Sequence, residues 1–144
     1  MTTAQLDLLE ASQALRVALA RLVRRLRAAD ADGPPVRLGL VLGRLDREGP
    51  LTTSELAVRE RMRPQSMAET IRELETQGLV GKTGDPNDGR RLLVSLTPAG
   101  RKLIAAARKR REDWLAAAIA EKLTPRERET LVNAIELLDR IAAG

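Results

Sequence analysis

The 144-residue chain contains no cysteine and no histidine. Without cysteine there is no disulfide framework and no thiol chemistry, a peroxide-sensing thiol included. Without histidine as well, the commonest zinc ligands and the commonest general base are both missing. Phe and Tyr are absent too, and Trp114 is the only aromatic residue. A chain so poor in aromatics and so rich in Ala, Leu and Arg is not an all-β protein and reads as mainly helical. No apolar run approaches the roughly 18 residues that a membrane span needs. Met1 to Glu10 carries Asp7 and Glu10 in place of a signal-peptide core, so the expected location is the cytoplasm. There is no glycine-rich phosphate loop and no paired acidic motif. No cofactor, no metal and no catalytic residue are therefore expected. An enzyme would need a carboxylate or serine site that no motif announces.

Charged residues make up 31% of the chain and the formal net charge is +5, a balance compatible with a nucleic-acid partner. The length fits one compact domain. Leu8, Leu15 and Leu22 recur every seven residues, interleaved with Leu19 and Leu26, which predicts an amphipathic helix over 5–29. Arg16, Arg21, Arg24, Arg25 and Arg27 lie on its polar side. Such a leucine stripe needs a covering surface, from its own domain or from a second subunit. Asp32-Gly33-Pro34-Pro35 stops it. A second helix is expected over 36–46, with Leu38, Val41, Leu42 and Leu45 inward.

The start of the third helix carries a capping box, Thr52 with Glu55, and a staple pair, Leu51 with Leu56. It is expected to run to about Arg61. Pro64 then opens a fourth helix at a position where its missing N–H is harmless, and Gly78 closes it, with Leu79 meeting Leu74. Met67, Ile71 and Leu74 share one face of this helix. Gln65, Ala68, Glu69, Arg72 and Thr76 share the other. A hairpin follows: a strand over 79–83, a turn at Asp85-Pro86-Asn87-Asp88-Gly89, and a returning strand over 91–96. Thr97-Pro98 starts a fifth helix reaching about Glu121. A second capping box, Thr124 with Glu127, starts a sixth over 125–142, with Leu131, Ile135, Leu138 and Ile141 inward.

Two short helices joined by a turn of a few residues around Met62-Arg63 form a helix-turn-helix, and the hairpin after them makes it winged. The polar face of the fourth helix suits the major groove, which is about 12 Å wide. The wing suits the backbone or the minor groove.

The wing Asp85-Pro86-Asn87-Asp88-Gly89-Arg90 resembles the D-x-R-D-x-R signature of the MarR family. The following Leu92 to Gly100 is similar to that family's strand and its L-T-x-x-G helix start. Arg63 to Met67 and Leu74 to Val80 are similar to the two ends of its recognition helix. The resemblance covers nearly the whole chain. It implies a single domain over 1–144: dimerisation helices in 1–35 and 98–144, and a winged helix-turn-helix lobe in 36–97. It further implies a homodimer on a pseudo-palindromic double-stranded DNA operator, a repressor role, and relief by a small aromatic or amphipathic effector. Two positions depart from the pattern. Asn87 stands where the first wing arginine would be, and Glu69 stands where relatives are often basic.

The expected DNA-contacting residues are Arg63, Gln65, Ser66, Glu69, Arg72, Lys82, Arg90 and Arg91, with Asp85 and Asp88 bracing the wing. A carboxylate in the groove repels phosphate but can accept from cytosine N4. Each residue also has a plainer reading. Arg90 is then a solvated turn arginine, Asp85 and Asp88 are turn formers, and Gln65, Ser66 and Arg72 are a solvent face. The run Arg108-Lys109-Arg110-Arg111 is a solvated helix face before it is a phosphate contact. Arg16, Met62 and Trp114 are the candidate effector contacts, against core packing for Met62 and Trp114. Over Leu51 to Thr97, seven basic residues (Arg59, Arg61, Arg63, Arg72, Lys82, Arg90, Arg91) balance seven acidic ones (Glu55, Glu60, Glu69, Glu73, Glu75, Asp85, Asp88). That neutrality keeps a rival open: a winged-helix module for protein–protein contact without sequence-specific DNA binding.

Overall fold

The computed structural model describes residues 7–144. It has six helices and one hairpin among the described residues: α1 (Leu8–Ala29), α2 (Val36–Glu48), α3 (Thr53–Arg59), α4 (Pro64–Thr76), β1 (Val80–Asp85), β2 (Asp88–Leu96), α5 (Pro98–Lys122) and α6 (Pro125–Ala142). The expected order is present throughout. The first residues of the predicted opening helix, Gln5 and Leu6, lie outside the described residues. Helix α1 starts instead at a cap, where Asp7 accepts from the Leu9 N–H at 3.0 Å. Helix α2 runs two residues further than expected, to Glu48, before Gly49 turns the chain with φ 81°.

The chain divides into two compact units, Asp32–Lys109 and the described residues up to Ala31 together with Arg110–Gly144. The first unit holds the core. Leu38, Val41, Leu42, Leu56, Met67, Ile71, Leu74 and Val94 are fully buried there, so α2, α3, α4 and β2 all contribute. Ile104 joins the cluster and Leu103 packs against it, which is why the first turns of α5 belong to this unit. Leu51 adds a one-residue third strand. Its N–H donates to Val94 O at 3.1 Å and its carbonyl accepts from the Val94 N–H at 2.7 Å. The base of the hairpin is thereby tied to the entry of α3.

Two helix ends repeat one motif with different residues. At the end of α4 the Leu79 N–H reaches Leu74 O and the Gly78 N–H reaches Glu75 O, with Gly78 at φ 73°. This is a Schellman ending, and glycine tolerates its left-handed residue. At the end of α3 the Met62 N–H reaches Ala57 O and the Arg61 N–H reaches Val58 O. There the left-handed position is Arg61, at φ 52° and the only non-glycine residue with positive φ among those described. Helix α3 therefore ends at Arg59, two residues before the expected Arg61.

The junction of hairpin and α5 is tighter still. The Thr97 N–H donates to Leu79 O at 3.1 Å, its hydroxyl donates to Gly78 O at 2.6 Å, and it caps α5 by accepting from the Gly100 N–H at 3.1 Å. A β-carbon on Gly100 would fall well inside contact distance of the Leu79 carbonyl oxygen. Glycine is required there by close approach of two backbones.

In the second unit neither α1 nor α6 buries a single residue. Leu15, Leu19 and Leu22 of the leucine stripe remain about 40% exposed, and Ile135 and Ile141 of the predicted inner face of α6 remain 50% and 73% exposed. Leu131 and Leu138 are only partly covered. The second capping box forms completely. Glu127 N–H donates to the Thr124 hydroxyl oxygen at 3.2 Å, and Thr124 N–H donates to the Glu127 carboxylate at 2.9 Å. That backbone donor, with the hydroxyl, holds the Glu127 carboxyl below its ordinary range.

Two substitutions test this account. Gly100→Ala should destabilise the protein by about 1–3 kcal/mol or more, because a rigid carbonyl cannot yield to the methyl. Arg61→Gly should stabilise it by about 0.5–1 kcal/mol, because a side chain is strained in the left-handed region. Denaturant unfolding of both variants against the parent measures these signs.

Candidate nucleic-acid interface

Helix α4 begins at Arg63 as N-cap, with Pro64 at the first helical position as expected. Met67, Thr70, Ile71 and Leu74 are its buried residues. Thr70 is the one buried polar residue among those described, and its hydroxyl donates to Ser66 O at 3.0 Å. At about 100° per residue these four side chains centre on one direction. Gln65, Glu69, Arg72 and Thr76 then fall within roughly 60° of arc on the opposite side. All four are exposed, and Ser66 flanks them, also exposed. The structure thus brings together four of the residues singled out on this helix as one outward face: Gln65, Ser66, Glu69 and Arg72.

The wing is shorter-turned and more irregular than the sequence suggested. Val80 pairs with Leu96 and Gly84 with Leu92, but Asp85 pairs with Asp88. The turn is therefore Pro86-Asn87, and residues 89–91 bulge from β2 without partners on β1. Asp85 accepts from the Asn87 N–H at 2.8 Å, and Asp88 accepts from the Arg90 N–H at 3.1 Å. Both aspartates brace the loop through its backbone. The Arg90 side chain stays exposed at the centre of the bulge. Arg91 behaves differently. Its guanidinium meets the Glu55 carboxylate and lies 3.8 Å from Asp85.

That contact changes the reading of Glu55. The Thr52 hydroxyl accepts from the Glu55 N–H at 3.1 Å, as a cap should. The Glu55 carboxylate does not turn back to the Thr52 N–H as the predicted capping box requires. It accepts hydrogen bonds from the Thr52 hydroxyl and the Arg91 guanidinium instead. The partner lies 36 residues away, so no local spacing announces it.

Pairing sorts the charges of the neutral segment. Of its seven acids, Glu55 holds Arg91, Glu60 holds Arg44, Glu73 holds Arg37 and Glu75 holds Lys82, while Asp85 and Asp88 hold wing N–H groups. Arg59 is held by Glu48 and Glu55. Among the described residues, Arg61, Arg63, Arg72 and Arg90 have no acidic partner, and Glu69 and Asp88 have no basic one. The charge without an opposite partner is four positive against two negative, on the turn, on α4 and on the wing.

The chain has counterparts among known proteins. A MarR family model matches residues 38–92. An HTH-type transcriptional regulator of Mycobacterium tuberculosis is 40% identical over 125 residues, 86% of this chain and 87% of that protein. The chain belongs to the MarR family. That family comprises transcriptional regulators and not enzymes. A crystal structure of a Pseudomonas aeruginosa protein described as a transcriptional regulator is 39% identical, covers 100% of this chain and 99% of its own, and superposes with TM-score 0.84. An S. aureus MepR variant bound to an oligodeoxyribonucleotide shares the fold at 22% identity and TM-score 0.67, over 91% of this chain and 97% of its own.

Within this MarR fold the remaining candidates take these places. Lys82 is paired with Glu75 at 3.4 Å. Met62 is half-buried and packs against the core of the first unit. Arg16 lies exposed on α1. Trp114, on α5, is partly covered by the Arg25 guanidinium, 5.4 Å from the ring centroid. In the basic run, Arg108 pairs with Asp46 at 2.5 Å and Arg110 with Asp30 at 2.8 Å. Those two arginines are spoken for.

Sequence reasoning missed the ion pairs that frame the lobe. Arg44 bonds Glu60 and Glu48 at 2.8 and 2.9 Å, and Arg59 bonds Glu48 at 2.8 Å. With Glu55 and Arg91 they form a continuous chain from the helix-turn-helix turn to the wing. Glu60 first, then Glu48, raise the Arg44 pKa further above its already high value. Arg44 first, with Arg59 assisting against partial desolvation, holds the Glu48 carboxyl below its ordinary value of 4.5. A carboxyl depressed in the folded state stabilises above its unfolded pKa and loses that contribution as pH falls through the folded one. Glu48→Gln should therefore lose less stability than the parent on acidification from about pH 6 to pH 3. Urea midpoints across that range check it; equal slopes would mean the pair contributes nothing.

Proposed function

We propose that this protein is a sequence-specific double-stranded DNA-binding regulator of transcription. It acts in the cytoplasm as a homodimer on a pseudo-palindromic operator, and as a repressor relieved by a small aromatic or amphipathic effector. The observation that carries this reading is the sorting of charge. Pairing engages five of the seven acids of the segment and leaves Arg63 and Arg72 on or beside the outward face of α4, with Arg90 at the wing tip. A phosphate-lined groove attracts such unpaired arginines, and a narrow minor groove attracts Arg90 most. The neutrality of the segment was the support for a protein–protein module, and it loses force once the paired charges are set aside.

Dimerisation is supported by the second unit. The stripes of α1 and α6 are apolar along their length yet bury no residue within one chain. A second copy would cover them, and it would set two copies of α4 against successive major grooves. The paired Lys82 and Arg91 hold the wing in place on this reading, and Gln65, Ser66, Glu69 and Arg72 meet bases. Asp85 and Asp88 keep the loop shape that presents Arg90. Candidate effector contacts are Arg16, Met62 and Trp114, since an arginine with an apolar wall suits an aromatic carboxylate. Such a ligand relieves repression only if it binds better to a conformer that does not fit the operator.

Selection from a random duplex DNA library tests the reading. An inverted repeat should be enriched, its affinity should fall steeply with salt, and Arg90→Ala should weaken binding roughly tenfold or more. No enrichment at any salt concentration would overturn it in favour of a protein partner.

A further inference from the structure

We infer that Glu69 selects a cytosine in each half-site of the operator. The inference rests on the DNA-binding reading above and names a specificity determinant within it.

Three observations converge on this residue. Glu69 lies on the outward face of α4, one turn from Gln65 and one turn from Arg72, opposite the buried Met67, Ile71 and Leu74. It is the only acid between Leu51 and Thr97 without a partner among the described residues. The next carboxylate along the same helix, Glu73, is held by Arg37 at 2.5 Å. Finally, the nearest cation on its own face does not neutralise it, because Arg72 turns its Nε toward the Ala68 carbonyl at 3.4 Å.

An unpaired carboxylate facing a phosphate-lined groove is repelled, so it opposes binding unless a base returns a hydrogen bond. The major-groove edges decide which base can. Guanine offers only N7 and O6 acceptors, and thymine offers O4 beside a methyl group. Both repel a carboxylate. Adenine offers its N6 donor beside the N7 acceptor, so a second carboxylate oxygen meets a lone pair. Cytosine presents its N4 amino group with no acceptor on its own edge, so an acceptor flanks the donor only on the side of the paired guanine. The carboxylate therefore discriminates twice: it accepts from cytosine N4 and it penalises the other three bases. In a symmetric dimer the preference appears at two dyad-related positions.

The experiment is site selection from random duplex DNA with the full-length protein, Glu69→Gln and Glu69→Ala in parallel. Matched far-UV circular dichroism serves as the control for folding. The parent should enrich cytosine at one position in each half-site. Glu69→Gln should move that position to adenine, whose N6 and N7 an amide can meet together. Glu69→Ala should leave it degenerate while the rest of the motif stays. In direct titrations, replacing the cytosine should weaken the parent about five- to 150-fold per half-site and should leave Glu69→Ala unaffected. An enriched motif that is identical for the parent and Glu69→Ala overturns the inference and leaves the DNA-binding reading standing. Enrichment by none of the three proteins overturns both.

Discussion

The burial of Met67, Thr70, Ile71 and Leu74 sets the rotation of α4, and almost everything else in the lobe inherits its placement from that choice. Once those four side chains face the core, Gln65, Glu69, Arg72 and Thr76 have only one direction left. The same helix then ends in a Schellman turn whose Leu79 drops back into the core and starts the hairpin. Leu79 also receives the Thr97 N–H, so α4, the wing base and α5 are fixed to one short stretch of backbone. Core interiors pack at crystal-like density and do not deform gradually. The lobe is consequently built to move as one body, with its outward residues in fixed relation.

Electrostatics does a different job. Exposed ion pairs individually contribute little to stability. The series Glu60, Arg44, Glu48, Arg59, Glu55 and Arg91 matters less for holding the fold than for deciding which charges remain available. A simple sum over the segment is zero and misleads, because it weighs a carboxylate locked to a guanidinium the same as one facing outward. What a polyanion meets is the remainder. The remainder is four arginines, on the turn, on α4 and on the wing, against Glu69 on α4 and Asp88 on the wing.

Much of this was legible in the sequence. The caps at Thr52, Thr97 and Thr124, the prolines at Pro64 and Pro125, and the glycine at Gly78 mark helix ends through local chemistry, and local chemistry can be read from neighbours in the chain. The inward faces of α2 and α4 followed from periodicity alone. The failures share a cause. The Glu55–Arg91 pair and the Leu51–Val94 bridge both depend on segments far apart in sequence. Arg61 shows another limit: glycine marks a Schellman ending in a sequence, and here an arginine takes the same conformation. The stripes on α1 and α6 were correctly read as apolar. Whether their cover comes from the same chain is not encoded in their period.

The scarcity of aromatics has a spectroscopic consequence. With neither tyrosine nor phenylalanine, near-ultraviolet absorption and emission of this protein come from Trp114 alone. That indole sits on the second half of α5 beneath the Arg25 guanidinium of α1, outside the unit that carries α4 and the wing. Its colour and lifetime are therefore a built-in gauge of the α1–α5 packing. A DNA or small molecule that shifts the emission without touching the indole has changed the helical unit from a distance.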